Sequence, residues 1–138
     1  MGAWDVSVFG NDDAADFMYE FDDANTVAEV ASVIEKALDT VLHSREEVDG
    51  SAGATGLAAA ALVAAWKEPE SLENDEEYAP QPWPRTPEPL PERIVAKAVA
   101  VLGRMKIQAG NELAELWSES GQADEFAQEI ERWRSRLT

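Results

Sequence analysis

The alanine-rich segment at residues 54–67 constrains the fold of this chain more than any other feature. Every residue from 57 to 66 is alanine, leucine, valine or tryptophan. A helix built from this run is apolar around its whole circumference, and such a helix is stable only when other elements cover it on all sides. The sequence therefore predicts a central helix at residues 54–67, with Trp66 as a large core side chain near its end.

Other segments show the three- and four-residue spacing of apolar side chains, or the capping residues, that indicate surrounding helices. We predict these helices at residues 12–22, 24–44, 91–109, 113–120 and 124–137, with Gly110-Asn111 either ending the helix that begins at Pro91 or bending it into the next. Residues 45–53 are expected to form a loop, and Trp117 and Trp133 to lie in the core. No segment alternates in the manner of a strand. The expected fold is all-α, a compact array of five or six helices in a single domain over residues 1–138.

Two irregular segments accompany the helices. Residues 1–10 are expected to form an N-terminal aromatic arm whose Trp4 and Phe9 insert into the core. All seven prolines lie between Pro69 and Pro91, a density that excludes a regular helix or a central strand. We expect residues 68–91, the proline strap, to be either an ordered strap or a mobile connection, with Trp83 as a docking point or an interaction residue.

The net charge of −17 is distributed unevenly along the chain. The whole excess lies in residues 1–92, because residues 93–138 hold seven acidic and seven basic residues. A negative field of this size repels phosphate, so we expect no direct binding of nucleic acid, and it attracts a basic partner protein. The alternative interpretation is that the charge only keeps the protein from aggregating.

The composition also limits the chemistry of this chain. It contains no cysteine, which excludes disulfides, thiolate metal sites and cysteine nucleophiles and agrees with a cytoplasmic location. Its most hydrophobic stretch, residues 57–66, is too short to cross a bilayer, so no membrane association is expected. His43 is the only histidine, and we interpret it as a partner for the C-terminal dipole of a helix rather than as a catalytic base.

The acidic cluster near the N-terminus is the main candidate for a metal site. Asp12, Asp16 and Glu20 follow one another at four-residue steps and therefore share one face of the first predicted helix. Hard cations require several oxygen ligands around them, which a single helical face does not supply. We therefore interpret Asn11, Asp12 and Asp16 as residues that cap and solvate the helix, and we expect no metal and no cofactor.

The opening of the chain carries a family resemblance. Gly2, Trp4 and Phe9, followed by Asn11-Asp12, Ala14, Asp16 and Phe17, resemble the start of the domain-of-unknown-function family numbered 4259, which is typically Gly-x-Trp-Gly followed by Phe-x-Asn-Asp-x-Ala-x-Asp-aromatic. The alanine-rich helix and the later tryptophan-containing helices are also similar to that family, so the likeness covers most of the chain.

The resemblance implies a bacterial, cytoplasmic, helical domain without an established chemistry. Two positions depart from the family pattern. Asp5 stands where the family usually has a second glycine, and Ala61 stands where the central helix often carries a glutamate. Any activity that depends on that glutamate is therefore not carried over to this chain.

These observations favour a non-catalytic acidic interaction protein that binds a basic partner, of the immunity, antitoxin or nucleic-acid-mimic type. The candidate interaction residues are Trp83, Asp22, Asp23, Glu76 and Glu77. Two alternatives stay open. The chain could be a small metal-dependent protein or enzyme that uses Asp12, Asp16 and Glu20, or a structural domain that forms oligomers through exposed aromatic side chains.

Overall fold

In residues 6–72 and 75–138, which the computed structural model describes apart from the side chain of Glu76, the chain forms six α-helices. They are α1 (Asp12–Met18), α2 (Val27–Leu42), α3 (Gly50–Lys67), α4 (Glu92–Met105), α5 (Glu112–Glu119) and α6 (Ala123–Arg134). Short 3-10 helices cover Tyr19–Phe21, Pro69–Leu72 and Glu76–Tyr78. This part of the chain contains no strand, so the predicted all-α class is confirmed; that residues 1–138 are one domain stays a prediction.

The central helix is α3, as its composition predicts. It packs against α1, α2, α4, α5 and α6, and the side chains from Leu57 to Ala65 are all buried. None of the helices in the described residues is long and apolar enough to cross a membrane. The fully apolar surface of α3 is therefore covered by the other helices of the same chain.

The start of α3 differs from the sequence prediction. Residues 50–53, which we expected to belong to a loop, are already helical. The helix begins there because the side chain of Asp49 accepts a hydrogen bond from the backbone N–H of Ala52 at 2.8 Å, which caps the first turn. Two glycines of α3 lie very close to side chains of neighbouring helices. A Cβ atom on Gly53 would lie 2.7 Å from the Met105 side chain of α4, and one on Gly56 would lie 2.5 Å from Val41 of α2.

The other helices lie close to their predicted positions, and their ends are set by hydrogen bonds. Helix α2 begins at Val27 because Thr26 and Glu29 form a capping box. Helix α5 ends in a Schellman motif in which Gly121, with a φ of +77°, donates to the carbonyl of Ser118. Helix α6 ends at Arg134, and residues 135–137 form turns rather than a continuation of the helix.

Helix α4 ends earlier than the sequence suggests. We expected Gly110 or Asn111 to end or bend it, but its last residue is Met105. The cause is the buried side chain of Asn111, whose Nδ2 donates to the carbonyls of Met105 and Ile107 at 2.9 and 3.1 Å. Its Oδ1 accepts from the N–H of Ala114 and thereby caps α5. Asn111 thus joins the end of one helix to the start of the next.

The described part of the N-terminal arm packs on α6. Phe9 is buried and contacts Trp133 edge to face, with the ring centroids 5.7 Å apart. The carboxylate of Glu129 accepts hydrogen bonds from the N–H of Val8 at 2.9 Å and from the indole of Trp133 at 3.2 Å. Trp4 and Gly2 lie outside the described residues, so the predicted insertion of Trp4 stays a prediction.

The proline strap packs against α3 through its tryptophan. Trp83 is 8% exposed, and its indole N–H donates to the backbone carbonyl of Leu62 in α3 at 3.0 Å. Its ring contacts Phe21 and Trp66 edge to face at 5.3 and 5.0 Å, and the indole of Trp66 donates to the carbonyl of Glu88. Trp83 is therefore a core residue and the docking point of the strap, not an exposed interaction residue.

An ion-pair network joins α2 to α4. The carboxylate of Glu35 accepts from Arg93 at 3.1 Å and from Lys97 at 2.8 Å, and Lys97 also pairs with Asp39 at 2.8 Å. The hydrogen bond from Lys97, followed by that from Arg93, lowers the pKa of Glu35 below its ordinary value. The hydrogen bonds to Asp39 and then Glu35 raise the pKa of Lys97.

The close packing at Gly56 leads to a prediction about two alanine substitutions. Gly103→Ala in α4 meets no atom within 4 Å and should raise the free energy of unfolding by roughly 0.5–1 kcal/mol through helix propensity. Gly56→Ala gains the same propensity but presses on the stiff side chain of Val41, and overpacking of this kind costs about 1–3 kcal/mol. In urea unfolding, the change in the free energy of unfolding should therefore be positive for Gly103→Ala and negative for Gly56→Ala. Equal stabilisation of both variants would contradict the close approach of α2 to Gly56.

The lowered pKa of Glu35 predicts a pH-dependent contribution to stability. A carboxylate whose pKa is lower in the folded state stabilises the fold above the pKa of the unfolded chain, about 4.3 for glutamate. That contribution disappears as the pH falls through the folded pKa. The stability difference between the wild type and Glu35→Gln should therefore be full at pH 7 and vanish in acid. Glu115→Gln, at an exposed position, is the control. A stability difference between the wild type and Glu35→Gln that persists in strong acid would refute the network.

Candidate functional site

A surface groove lies between the first helical segment and the proline strap. One wall consists of residues of α1 and the following 3-10 helix, and the other consists of residues 77–85 of the strap. The groove has a volume of about 320 Å³. We call it the tyrosine groove, and its lining includes Phe9, Met18, Tyr19, Asp22, Glu77, Tyr78 and Arg85.

Two exposed tyrosines mark this groove. Tyr19 is 71% exposed and Tyr78 is 37% exposed. In the part of the chain that the structure describes, Ile107 is the only other large hydrophobic residue with such exposure. Tyrosine is enriched among the residues that contribute most to binding energy at protein interfaces. Among the described residues, the exposed aromatic side chains are therefore concentrated in this groove.

Local structure explains why Tyr19 faces outward. Phe17 and Phe21 are buried and contact each other edge to face at 5.2 Å. Tyr19 lies midway between them, and two residues along a helix rotate a side chain by about 200°, to the opposite side. Asn11 fixes the start of the segment, because its side chain accepts from the N–H of Ala14 at 2.8 Å. The two buried phenylalanines thus place Tyr19 in the groove.

The strap wall is held by Trp83 and Arg85. The guanidinium of Arg85 donates through Nη1 to the carbonyls of Phe21 and Ala24, at 2.5 and 2.7 Å. These bonds connect the strap directly to the end of the opposite wall. Arg85 is also the one cation among the described lining residues, and its Nη1 is already committed to these backbone carbonyls.

Carboxylates surround the tyrosines. Asp22 lines one wall and Glu77 the other, although they are far apart in the sequence. Asp23 is exposed next to Asp22. Tyrosine rings attract cations over their faces, and carboxylates pair with guanidinium and ammonium groups through charge-assisted hydrogen bonds. The groove therefore offers two complementary ways to hold a lysine or arginine side chain.

The candidate metal residues lie beside this groove and do not form a cage. Asp12, Asp16 and Glu20 are exposed along the flank of the first helical segment. Among the described residues no group of three or more histidine, aspartate or glutamate side chains is arranged to hold a metal ion. His43 is exposed at the C-cap of α2, far along the chain from these acids. These carboxylates add to the field around the groove.

Of the five candidate interaction residues, Asp22 and Glu77 line the same groove. Asp23 is exposed, Trp83 is buried, and the side chain of Glu76 lies outside the described residues. Neither Tyr19 nor Tyr78 is among the site residues predicted from the sequence. The signal for Tyr19 was present, because the helical period places it opposite Phe17 and Phe21. For Tyr78, within an irregular segment, no such signal exists.

The residues of the N-terminal motif that the structure describes have structural roles. Phe9 and Phe17 are buried, and Asn11 caps α1. Gly2 and Asp5 lie outside the described residues. Ala61, at the position where a glutamate is common in the resembling family, is completely buried in α3. The central helix therefore presents no ionisable group at this position.

Comparison with known proteins identifies one family. The family model described as "Domain of unknown function (DUF4259)" matches residues 2–129, which is nearly the whole chain. No curated protein and no solved structure matches.

The hydrogen bonds of Arg85 lead to a prediction about the groove. Arg85→Ala leaves the carbonyl of Ala24 without this donor, and an unsatisfied buried acceptor costs about 1–3 kcal/mol. The carbonyl of Phe21 still accepts from the N–H of Ala24 at 3.0 Å. We expect the free energy of unfolding to fall by that amount, together with faster amide exchange at residues 22–25. Arg45→Ala, at an exposed position, is the matched control. Equal effects of the two substitutions would show that Arg85 does not hold the groove together.

Proposed function

Because this chain belongs to the DUF4259 family, whose function is unknown, its role has to be inferred from its own surface, and we propose that it is a non-catalytic acidic interaction protein. In this proposal the tyrosine groove binds a basic segment of a partner protein. The observation that carries the proposal is the grouping of Tyr19 and Tyr78 with Asp22 and Glu77 in one groove.

The groove matches the chemistry of a basic side chain. An aromatic face attracts a lysine or arginine cation by about 0.5–1 kcal/mol at exposed sites and by more when water is excluded. A carboxylate beside the ring can accept hydrogen bonds from the same cation, and arginine can donate two at once. Asp22 and Glu77 line opposite walls, so both carboxylates are available to a side chain that enters the groove.

The charge of the whole chain supports the same partner. A net charge of −17 accelerates association with a positively charged surface and opposes association with phosphate. Asp12, Asp16 and Glu20, on the flank beside the groove, extend this negative surface. A basic partner is thus favoured both at long range and in contact with the groove.

A second copy of the chain is a weaker occupant for this groove. A symmetric dimer built on the groove would bring the same acidic surfaces of both copies together, and like charges at an interface oppose binding. We therefore assign the exposed tyrosines to a basic partner and not to self-association. An immunity or antitoxin type of inhibitor, or a mimic of nucleic acid, in the cytoplasm of a bacterium fits this description.

The test is affinity capture from native lysate with four immobilised proteins. The double variant Tyr19→Ser/Tyr78→Ser keeps the net charge and removes both rings. Asp22→Asn/Glu77→Gln removes two charges inside the groove, and Glu119→Gln/Glu125→Gln removes two exposed charges outside it. Each is compared with the wild type over a series of salt concentrations.

We expect the wild type to retain a basic protein that the groove variants lose. The loss should be at least about tenfold in affinity, which corresponds to about 1.4 kcal/mol, while the Glu119/Glu125 variant should bind nearly as well as the wild type. Absence of any retained basic protein at low ionic strength would refute the proposal. Equal loss in both charge variants, with full binding by the tyrosine variant, would refute the assignment to the groove.

A further inference from the structure

A second cavity lies at the N-terminal end of α3 and shares no described lining residue with the tyrosine groove. It has a volume of about 200 Å³, is partly open to solvent, and is bounded by residues 6–8 of the N-terminal arm and by residues of α1, α3, α5 and α6. Its inner surface is apolar and includes Val8, Leu57, Leu116, Trp117 and Phe126, most of which are buried. We call it the amine cavity, for the reasons that follow.

Two carboxylates from different helices stand at this cavity. Asp13 of α1 accepts a hydrogen bond from the hydroxyl of Ser51 at 2.7 Å. Glu112 of α5 accepts one from the backbone N–H of Gly50 at 2.9 Å. Both are held in place against the first turn of α3 and both are partly or fully exposed, so they stand on the solvent side of the apolar interior.

The charge at the cavity favours a cation over an anion. No lysine, arginine or histidine is among the described lining residues. The N-terminus of α3 contributes about half a positive charge, which the two carboxylates outweigh. The N–H groups of Gly50 and Ala52 are moreover occupied by Glu112 and Asp49, so an incoming anion would find these donors already bonded. Each carboxylate of Asp13 and Glu112 has a second oxygen that can accept from a ligand.

The size of the cavity limits the apolar part of a ligand. An engineered apolar cavity of about 150 Å³ binds benzene, so a cavity of about 200 Å³ holds one ring with a short side chain. We propose that the amine cavity binds a small arylalkylamine, with its ring between Leu57, Leu116 and Phe126. Its protonated amine then pairs with Asp13 and Glu112. This inference does not depend on the tyrosine groove.

The test uses 2-phenylethylamine as the probe. Two molecules with the same ring serve as comparisons: 3-phenylpropionate, which carries a carboxylate, and 2-phenylethanol, which is neutral. Binding to the full chain at pH 7 is measured by calorimetry and by the rise in melting temperature, since a ligand that binds only the native state stabilises it. Methyl resonances of Val8, Leu57 and Leu116 report whether the ring enters the cavity.

We expect the amine to bind, the alcohol to bind more weakly and the carboxylate not to bind. Asp13→Asn and Glu112→Gln, which retain an acceptor for Ser51 and Gly50, should each weaken binding roughly tenfold or more, because a charge-assisted hydrogen bond is lost. Ala54→Leu should block the cavity and abolish binding while the circular dichroism spectrum shows an intact fold. Asp12→Asn, on the same helix but outside the cavity lining, is the matched control and should leave the affinity unchanged.

Three results would overturn the proposal. Equal binding of the amine and the carboxylate would show that charge plays no role. Equal weakening by Asp13→Asn and Asp12→Asn would show that the amine responds only to the general negative field. Binding by a Trp4→Ala variant and not by the wild type would show that the chain itself, and not a small molecule, occupies this cavity.

Discussion

The structure depends on the burial of one helix. Helix α3 has an apolar surface on every side, and the free energy gained by covering it is the main reason for the other five helices to pack as they do. Gly53 lets α4 approach α3 closely, and Gly56 does the same for α2. Trp66 of α3 packs against Trp83 of the proline strap. Each neighbouring helix covers a different side of α3. A change in the surface of α3 therefore alters its contacts with several helices at once.

A buried apolar centre leaves the polar chemistry of this chain at the periphery. Most carboxylates of the described residues lie outside this centre, and the tyrosine groove and the amine cavity are two places where they accompany apolar surface. In both, a side chain or ring can lose its contact with water while a carboxylate satisfies a cation next to it. The two sites differ in scale: the groove is open and suits a protein segment, whereas the cavity is smaller and suits a single ring.

Much of the fold follows from local sequence. The composition of residues 57–66 predicts the central helix, and the spacing of Phe126, Ile130 and Trp133 predicts the inner face of α6. The start of α3 at Gly50 was missed because glycine has a low helix propensity, which tertiary packing overrides here. Tyr19 could have been recognised from its helical phase. The groove as a whole could not, because its strap wall has no periodic pattern, and only docking of Trp83 and Arg85 places Glu77 in the same groove as Asp22.

The bonds of Arg85 to Phe21 and Ala24 have a consequence for the order of folding. They join residues more than sixty positions apart, and loops of that length close late compared with the local hydrogen bonds within a helix. A nascent or partly unfolded chain therefore lacks the groove even when its helices have formed. Recognition by a basic partner would select finished molecules over incomplete ones, and a bound partner would in turn slow the detachment of the strap.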